Sequence, residues 1–208
     1  MFLRALASLA LASATLAHAA PACGQPLAAA SAPQSDVRSW LLRIHDAAGR
    51  RNFQGTFVVS GGGNVASARI SHFCEGPNQY ERIESLDGKQ RKVYRHNDVV
   101  HTVWPASHVA MIEQRGMLSS FPALLQAGDD GIGDWYDVRA EGGERVAGHD
   151  ADVLAVRARD TLRYGYRLWA DHASGLLLRA EVLGEKGDVL ETSAFSEVAI
   201  GVRPQPET

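Results

Sequence analysis

The sequence predicts a mainly β domain, a half-open, strongly curved antiparallel barrel of about ten strands with an N-terminal helix and one short helical insertion over its concavity. Three observations carry this. First, the stretch from Glu144 to Val198 holds four strand-type runs separated by turn signals: Ala151–Arg157, Tyr164–Ala170, Leu176–Gly184 and Val189–Val198. Runs of about seven to ten residues joined by short turns make an antiparallel meander. Second, alternation in these runs is imperfect. Tyr164, Tyr166 and Leu168 oppose Arg163, Arg167 and Trp169, and Leu176, Leu178, Ala180 and Val182 oppose Leu177, Arg179, Glu181 and Leu183. Apolar residues on both faces imply a curved sheet with a second surface to cover. Third, only one long helical periodicity is present.

The N-terminus has the pattern of an export signal over residues 1–19. Arg4 supplies the positive charge, Ala5 to Ala17 is an apolar run too short to span a bilayer, and Ala17-His18-Ala19 is a small-x-small cleavage site. No other stretch has the length and apolarity of a membrane helix. The remainder, about 190 residues, suffices for one domain with a sizeable core. A formal net charge of -3 gives no reason to invoke nucleic acid. Export makes the two cysteines informative: Cys23 and Cys74 are a disulfide candidate closing a loop of about 50 residues, worth ~3–4 kcal/mol on a chain-entropy model. Lipidation of Cys23 and two unpaired thiols are the competing states.

Residues 20–34, rich in Ala, Ser and Pro, form a tail unsuited to packing. Ser35 is a candidate N-cap, and Val37, Trp40, Leu41, Ile44 and Ala48 recur on one face of a helix ending near Gly49. Strands follow. Phe53, Gly55, Phe57 and Val59 share a face, and Gly61-Gly62-Gly63-Asn64 turns into Val65–Cys74. That glycine run lacks the Lys-Ser/Thr pair of a phosphate loop and is read as a hairpin. Gln79–Leu86 and Lys89–Arg95 flank an Asp87-Gly88 turn, and Asp98–Trp104 ends at Pro105.

Pro105 to Asp134 breaks the strand pattern. Val109, Ile112 and Met117 suggest one helical segment and Phe121, Leu124 and Leu125 another, either as a functional lid or as a cap on one end of the barrel. Trp135–Ala140 then resumes the sheet.

Catalytic patterns are scarce. The eight histidines show no HxH or HExxH spacing, His96 and His101 need not share a face, and no GxSxG elbow occurs. Asp129, Asp130 and Asp134 lack calcium-loop spacing and suit a solvated acidic loop. Arg157, Arg159, Arg163 and Arg167 form either a solvated strand face or an anion site. A half-barrel can instead enclose an apolar cavity for a lipid-like ligand. The candidate lining is Phe57, Trp104, Ile112, Phe121, Leu124, Leu125, Trp135, Tyr164, Tyr166 and Trp169, with ordinary core packing as the alternative.

Three blocks, NFQGTFV, RIESLDGKQRKVYRHNDVVHTVWP and RVAGHDADVLAVRARDTLRYGYRLWADHASGLLLRAEVLGEKGDVLE, resemble the large N-terminal domain of the RseB/MucB family, and the resemblance covers residues 35–200. It implies a LolA/LolB-like half-open barrel with helices in its concavity. It also implies a periplasmic negative regulator of the sigma-E envelope-stress response. Such a protein binds the periplasmic segment of the membrane-bound anti-sigma factor RseA/MucA, shields it from site-1 proteolysis, and senses lipid or lipopolysaccharide. Residues 201–208 resemble the start of a linker to a second, C-terminal domain that this chain lacks. No catalytic residues, cofactor or metal are implied. A periplasmic lipid or lipoprotein carrier of LolA/LolB type is the alternative, and an enzyme lacks a recognisable nucleophile–base pair.

Overall fold

The computed structural model describes residues 34–114 and 132–203. The first element is the helix α1, Gln34–Arg50. It buries Leu41, Ile44 and Ala47 at three-residue spacing, and Ile44 and Ala47 are each only 1% exposed. The helix begins at Gln34, so Ser35 lies inside it rather than capping it. Arg50 pairs with Asp46 one turn back, at 2.8 Å.

Six strands follow: β1 (Phe53–Gly61), β2 (Asn64–Glu75), β3 (Asn78–Ser85), β4 (Lys92–His96), β5 (Val99–Trp104) and β6 (Val109–Gln114). After a one-turn helix α2 (Ile132–Trp135) come β7 (Tyr136–Val146), β8 (His149–Ala158), β9 (Gly165–Asp171), β10 (Leu177–Leu183) and β11 (Val189–Ile200). All eleven belong to one antiparallel sheet, ordered β6-β5-β4-β3-β2-β1-β11-β10-β9-β8-β7. It is therefore two consecutive meanders joined where the first strand pairs with the last, Phe53 opposite Ile200. The sheet is open, with β6 at one edge and β7 at the other.

Two segments depart from the sequence-based expectation. Val109–Gln114, expected to be helical, is the edge strand β6, paired with β5 from Trp104↔Val109 to Val99↔Gln114. Trp135 ends α2 and is not in a strand. The eleventh strand is thus the segment read as helix. Its formation depends on a short 3-10 turn, Pro105–Ser107, followed by His108 in the left-handed region (φ 52), whose N–H donates to Pro105 O.

The two cores explain the imperfect alternation. In one, Leu41 and Ile44 of α1 meet Val138, Leu154, Val156, Leu168, Ala170 and Ala180. The register places Leu154, Leu168 and Ala180 side by side on three neighbouring strands. The second core joins Ala151, Val153 and Trp169 to Leu178, Phe195 and Phe53. It passes through register breaks between Leu177 and Arg179 in β10 and beside Thr56/Phe57 in β1 and β11. Such bulges bend strands and let the apolar side change face. Gly55, in the NFQGTFV block, sits at this bend. A Cβ there would lie 2.2 Å from Glu197 O and 2.9 Å from Val198 Cα, so no other residue fits without moving β11.

Candidate functional site: the space under α1 and the outer trough

Helix α1 lies across the inner face of the sheet. It packs on β10 near one end and reaches β2 with the other, with β11 and β1 between them in the sheet. The apolar end is fixed by Leu41 and Ile44, backed by Trp40, Tyr136 and Tyr166. Arg43 adds polar contacts, donating to His172 O and lying 3.8 Å from Asp152.

The other end is held by hydrogen bonds to the last turn of the helix, where carbonyls lack intrahelical partners. Gly49 O accepts from Gln79 Nε2 at 3.0 Å and from Cys74 Sγ at 3.1 Å. His72 Nδ1 donates to Arg51 O at 2.9 Å, and Cys74 N donates to Asn52 Oδ1 at 2.9 Å. His72 is buried and stacks on Phe53, centroids 5.2 Å apart. Opposite His72 in register is Glu81, itself opposite Arg95. Burial pushes the Glu81 carboxyl above the usual range, while the neighbouring His72 and Arg95 pull it back. Burial likewise raises the Cys74 thiol.

The structure separates the expected cavity residues. Phe57 packs against the second core and meets Phe195 edge-on at 5.1 Å. Tyr166 packs on the first core beneath α1, 6.5 Å from Tyr136. Trp104 follows Val100 and Thr102, both buried, on the inner face of β5. Ile112 is opposite His101, on the outer face, and is 68% exposed. Trp135 and Tyr164 are exposed, and the Arg163 guanidinium stacks 4.2 Å from the Trp135 ring centroid. Trp169 is 1% exposed: its ring lies between Arg167 and Arg179, and its Nε1 donates to Glu144 at 2.9 Å. Phe121, Leu124 and Leu125 lie outside the described residues, as do Cys23, Asp129 and Asp130.

The arginine cluster is already neutralised. Arg159 binds Asp137 at 2.9 Å, Arg163 binds Asp160, and Arg167 binds Glu141 at 2.6 Å and Glu144 at 3.2 Å. Three of those carboxylates come from β7, a pairing that no spacing within the arginine run reveals.

Sequence reasoning did not find the trough on the outer face. Two clefts, of about 390 and 210 Å³, share Ser71 and run from β11 to β5. The signal was present in the period-two rows once the register is known: Ser71, Arg82, Tyr94 and His101 stand side by side, as do Phe73, Tyr80 and His96. His96 and His101 therefore do share a face. Among the described residues no cluster of three metal-ligating side chains occurs.

An open antiparallel sheet with a single helix strapped across its inner face is a binding scaffold of the half-barrel class. The match to the MucB/RseB N-terminal domain over residues 36–208 narrows this, and the chain belongs to that family. It is 32% identical to the sigma factor AlgU regulatory protein MucB of Pseudomonas aeruginosa over 87% of this chain and 56% of that protein. It is 28% identical to the sigma-E factor regulatory protein RseB of Haemophilus influenzae over 78% of this chain and 51% of that one. The chain thus spans about half the length of these relatives. The structure of the Pseudomonas aeruginosa MucA/MucB complex superposes with a TM-score of 0.69 at 33% identity, covering 83% of this chain and 59% of its match.

Proposed function

We propose that this domain is a periplasmic negative regulator of the sigma-E response. It binds the periplasmic segment of a membrane-bound anti-sigma factor of the RseA/MucA type and keeps that segment from site-1 proteolysis. It reads lipid, including lipopolysaccharide, in the space between α1 and the sheet. The regulatory names of its relatives and the MucA/MucB complex support the partner. The observation that carries the sensing is the asymmetric seating of α1, with apolar packing at one end and a few hydrogen bonds at the other. An acyl chain that replaces the apolar contacts can lift the helix, and a ligand shifts a partner equilibrium by its differential affinity for the two states.

Titrating a labelled anti-sigma segment into the chain, with no lipid and with saturating lipopolysaccharide fragment, tests this. Weak binding, reduced by a coupling on the order of 1–3 kcal/mol, is expected. Equal affinities with lipid demonstrably bound would remove the sensing role, and absence of binding would remove the partner.

The same proposal has the chain exported, cut after Ala19 and bridged between Cys23 and Cys74. Intact-mass analysis of periplasmic material should find the shortened chain without free thiols. Two alkylatable cysteines would refute the bridge, and a diacylglyceryl mass on Cys23 would refute cleavage at that site.

A further inference from the structure

We infer that the outer trough over β11, β1, β2, β3, β4 and β5 docks an acidic polypeptide segment that also carries aromatic side chains. The trough lies on the face opposite α1. His72, Cys74 and Gln79 reach the helix from one side of β2 and β3, while Ser71, Phe73, Tyr80 and Arg82 alternate to the other.

Its charge is unbalanced. Glu84 Oε1 accepts from both Arg82 and Lys92 at 2.9 Å, and Arg69 stands opposite the same carboxylate in register. Three cations thus share one carboxylate. The other carboxylate in the trough, Glu197, is engaged by Thr56 Oγ1 at 2.8 Å. This is a positive strip on a chain whose net charge is negative. On the other half of the outer face, Arg167 has two carboxylates and Arg179 has Glu181.

Beside the strip, flat rings line the floor. Tyr80 stacks on His96, centroids 4.7 Å apart, and Arg82 lies 5.8 Å from the Tyr94 ring centroid. Both tyrosines are exposed. Cations alternating with exposed ring faces match a ligand that alternates carboxylates with aromatic groups. Six strands at ~4.8 Å spacing span roughly 24 Å, the length of about seven extended residues. This surface does not depend on the identity of the anti-sigma partner.

The test uses the full chain and a fluorescent heptapeptide of alternating Glu and Tyr, read by anisotropy. Saturable binding is expected, weakened about tenfold by Arg69→Glu or Lys92→Glu, weakened by Tyr94→Ser, and lost when Gln replaces Glu in the peptide. Arg145→Glu, an exposed change on β7, should leave it unaltered. Both reversed side chains are on the surface, and circular dichroism of each variant confirms folding. Absence of binding, or equal binding by the parent and the folded Arg69→Glu and Lys92→Glu variants, overturns the inference. Equal loss with Arg145→Glu reduces the effect to overall charge and overturns it too.

Discussion

The two meanders of the sheet use their faces differently. In β8–β10 both faces are buried: Leu154, Leu168 and Ala180 on one side, Val153 and Trp169 on the other. In β3–β6 only the inner face is covered, with Val100 and Thr102 buried and Tyr80, Tyr94, Val99 and Ile112 exposed outside. Every arginine named on the outer side of β9 and β10 has carboxylate partners of its own, whereas Arg69, Arg82 and Lys92 share Glu84. One meander carries stability on both sides, and the other leaves a side free for recognition. The edges repeat the contrast. β7 carries a bulge at Gly142 and a row of charges, devices that deter strand addition. β6 is Val-Ala-Met-Ile-Glu-Gln, mostly exposed and without bulge or proline.

The largest expected effect tests whether that division is real. Leu168→Ala should cost ~2–5 kcal/mol, because both faces around it are packed. Ile112→Ala should stay within about 0.5 kcal/mol. Urea unfolding of both variants checks this, and a comparable loss in Ile112→Ala would show that the β6 side has a cover of its own.

A smaller effect sharpens the comparison within β3, whose two glutamates face opposite ways. Hydrogen bonds from Lys92, then Arg82, hold the Glu84 carboxyl below its usual range. Its folded value lies below the unfolded one, so its stabilisation is present at neutral pH and lost as pH falls through the lowered value. Glu81 is the reverse. Burial raises it, the folded state holds the proton more tightly, and stability declines as pH rises from about 4.3 through the raised value. Glu84→Gln should flatten the acid-side loss, and Glu81→Gln should flatten the decline above it, each by ~1 kcal/mol or less. Unfolding midpoints across pH decide it; parallel curves for both variants would mean that neither carboxylate is linked to folding.

Much of the architecture was legible before the coordinates. The last four strands lie within about two residues of their sequence limits, because each is bounded by a turn signal and rich in β-formers. β6 was not, for two physical reasons. Ala, Met, Glu and Gln favour helix, and pairing with β5 overrode that preference. The turn that makes the pairing possible uses a left-handed histidine, where glycine or asparagine would have announced it. β7 was cut short at Ala140 for a related reason: the glycines at 142 and 143 read as a break, yet they make a bulge through which pairing with β8 continues to Val146. The cavity list was the least legible part. Period-two alternation separates Trp169 from Tyr166 and Leu168, but only register shows which side α1 occupies.

The joining of the first strand to the last has a kinetic consequence. Nearly all other strand pairs are hairpin neighbours, which close small loops at little entropic cost. The β1–β11 ladder closes almost the whole described chain and carries the bend at Gly55. Each meander can therefore zip locally, while the step that unites them pays the longest search. Topology makes this seam, and not the burial of α1, the slow event in building the sheet.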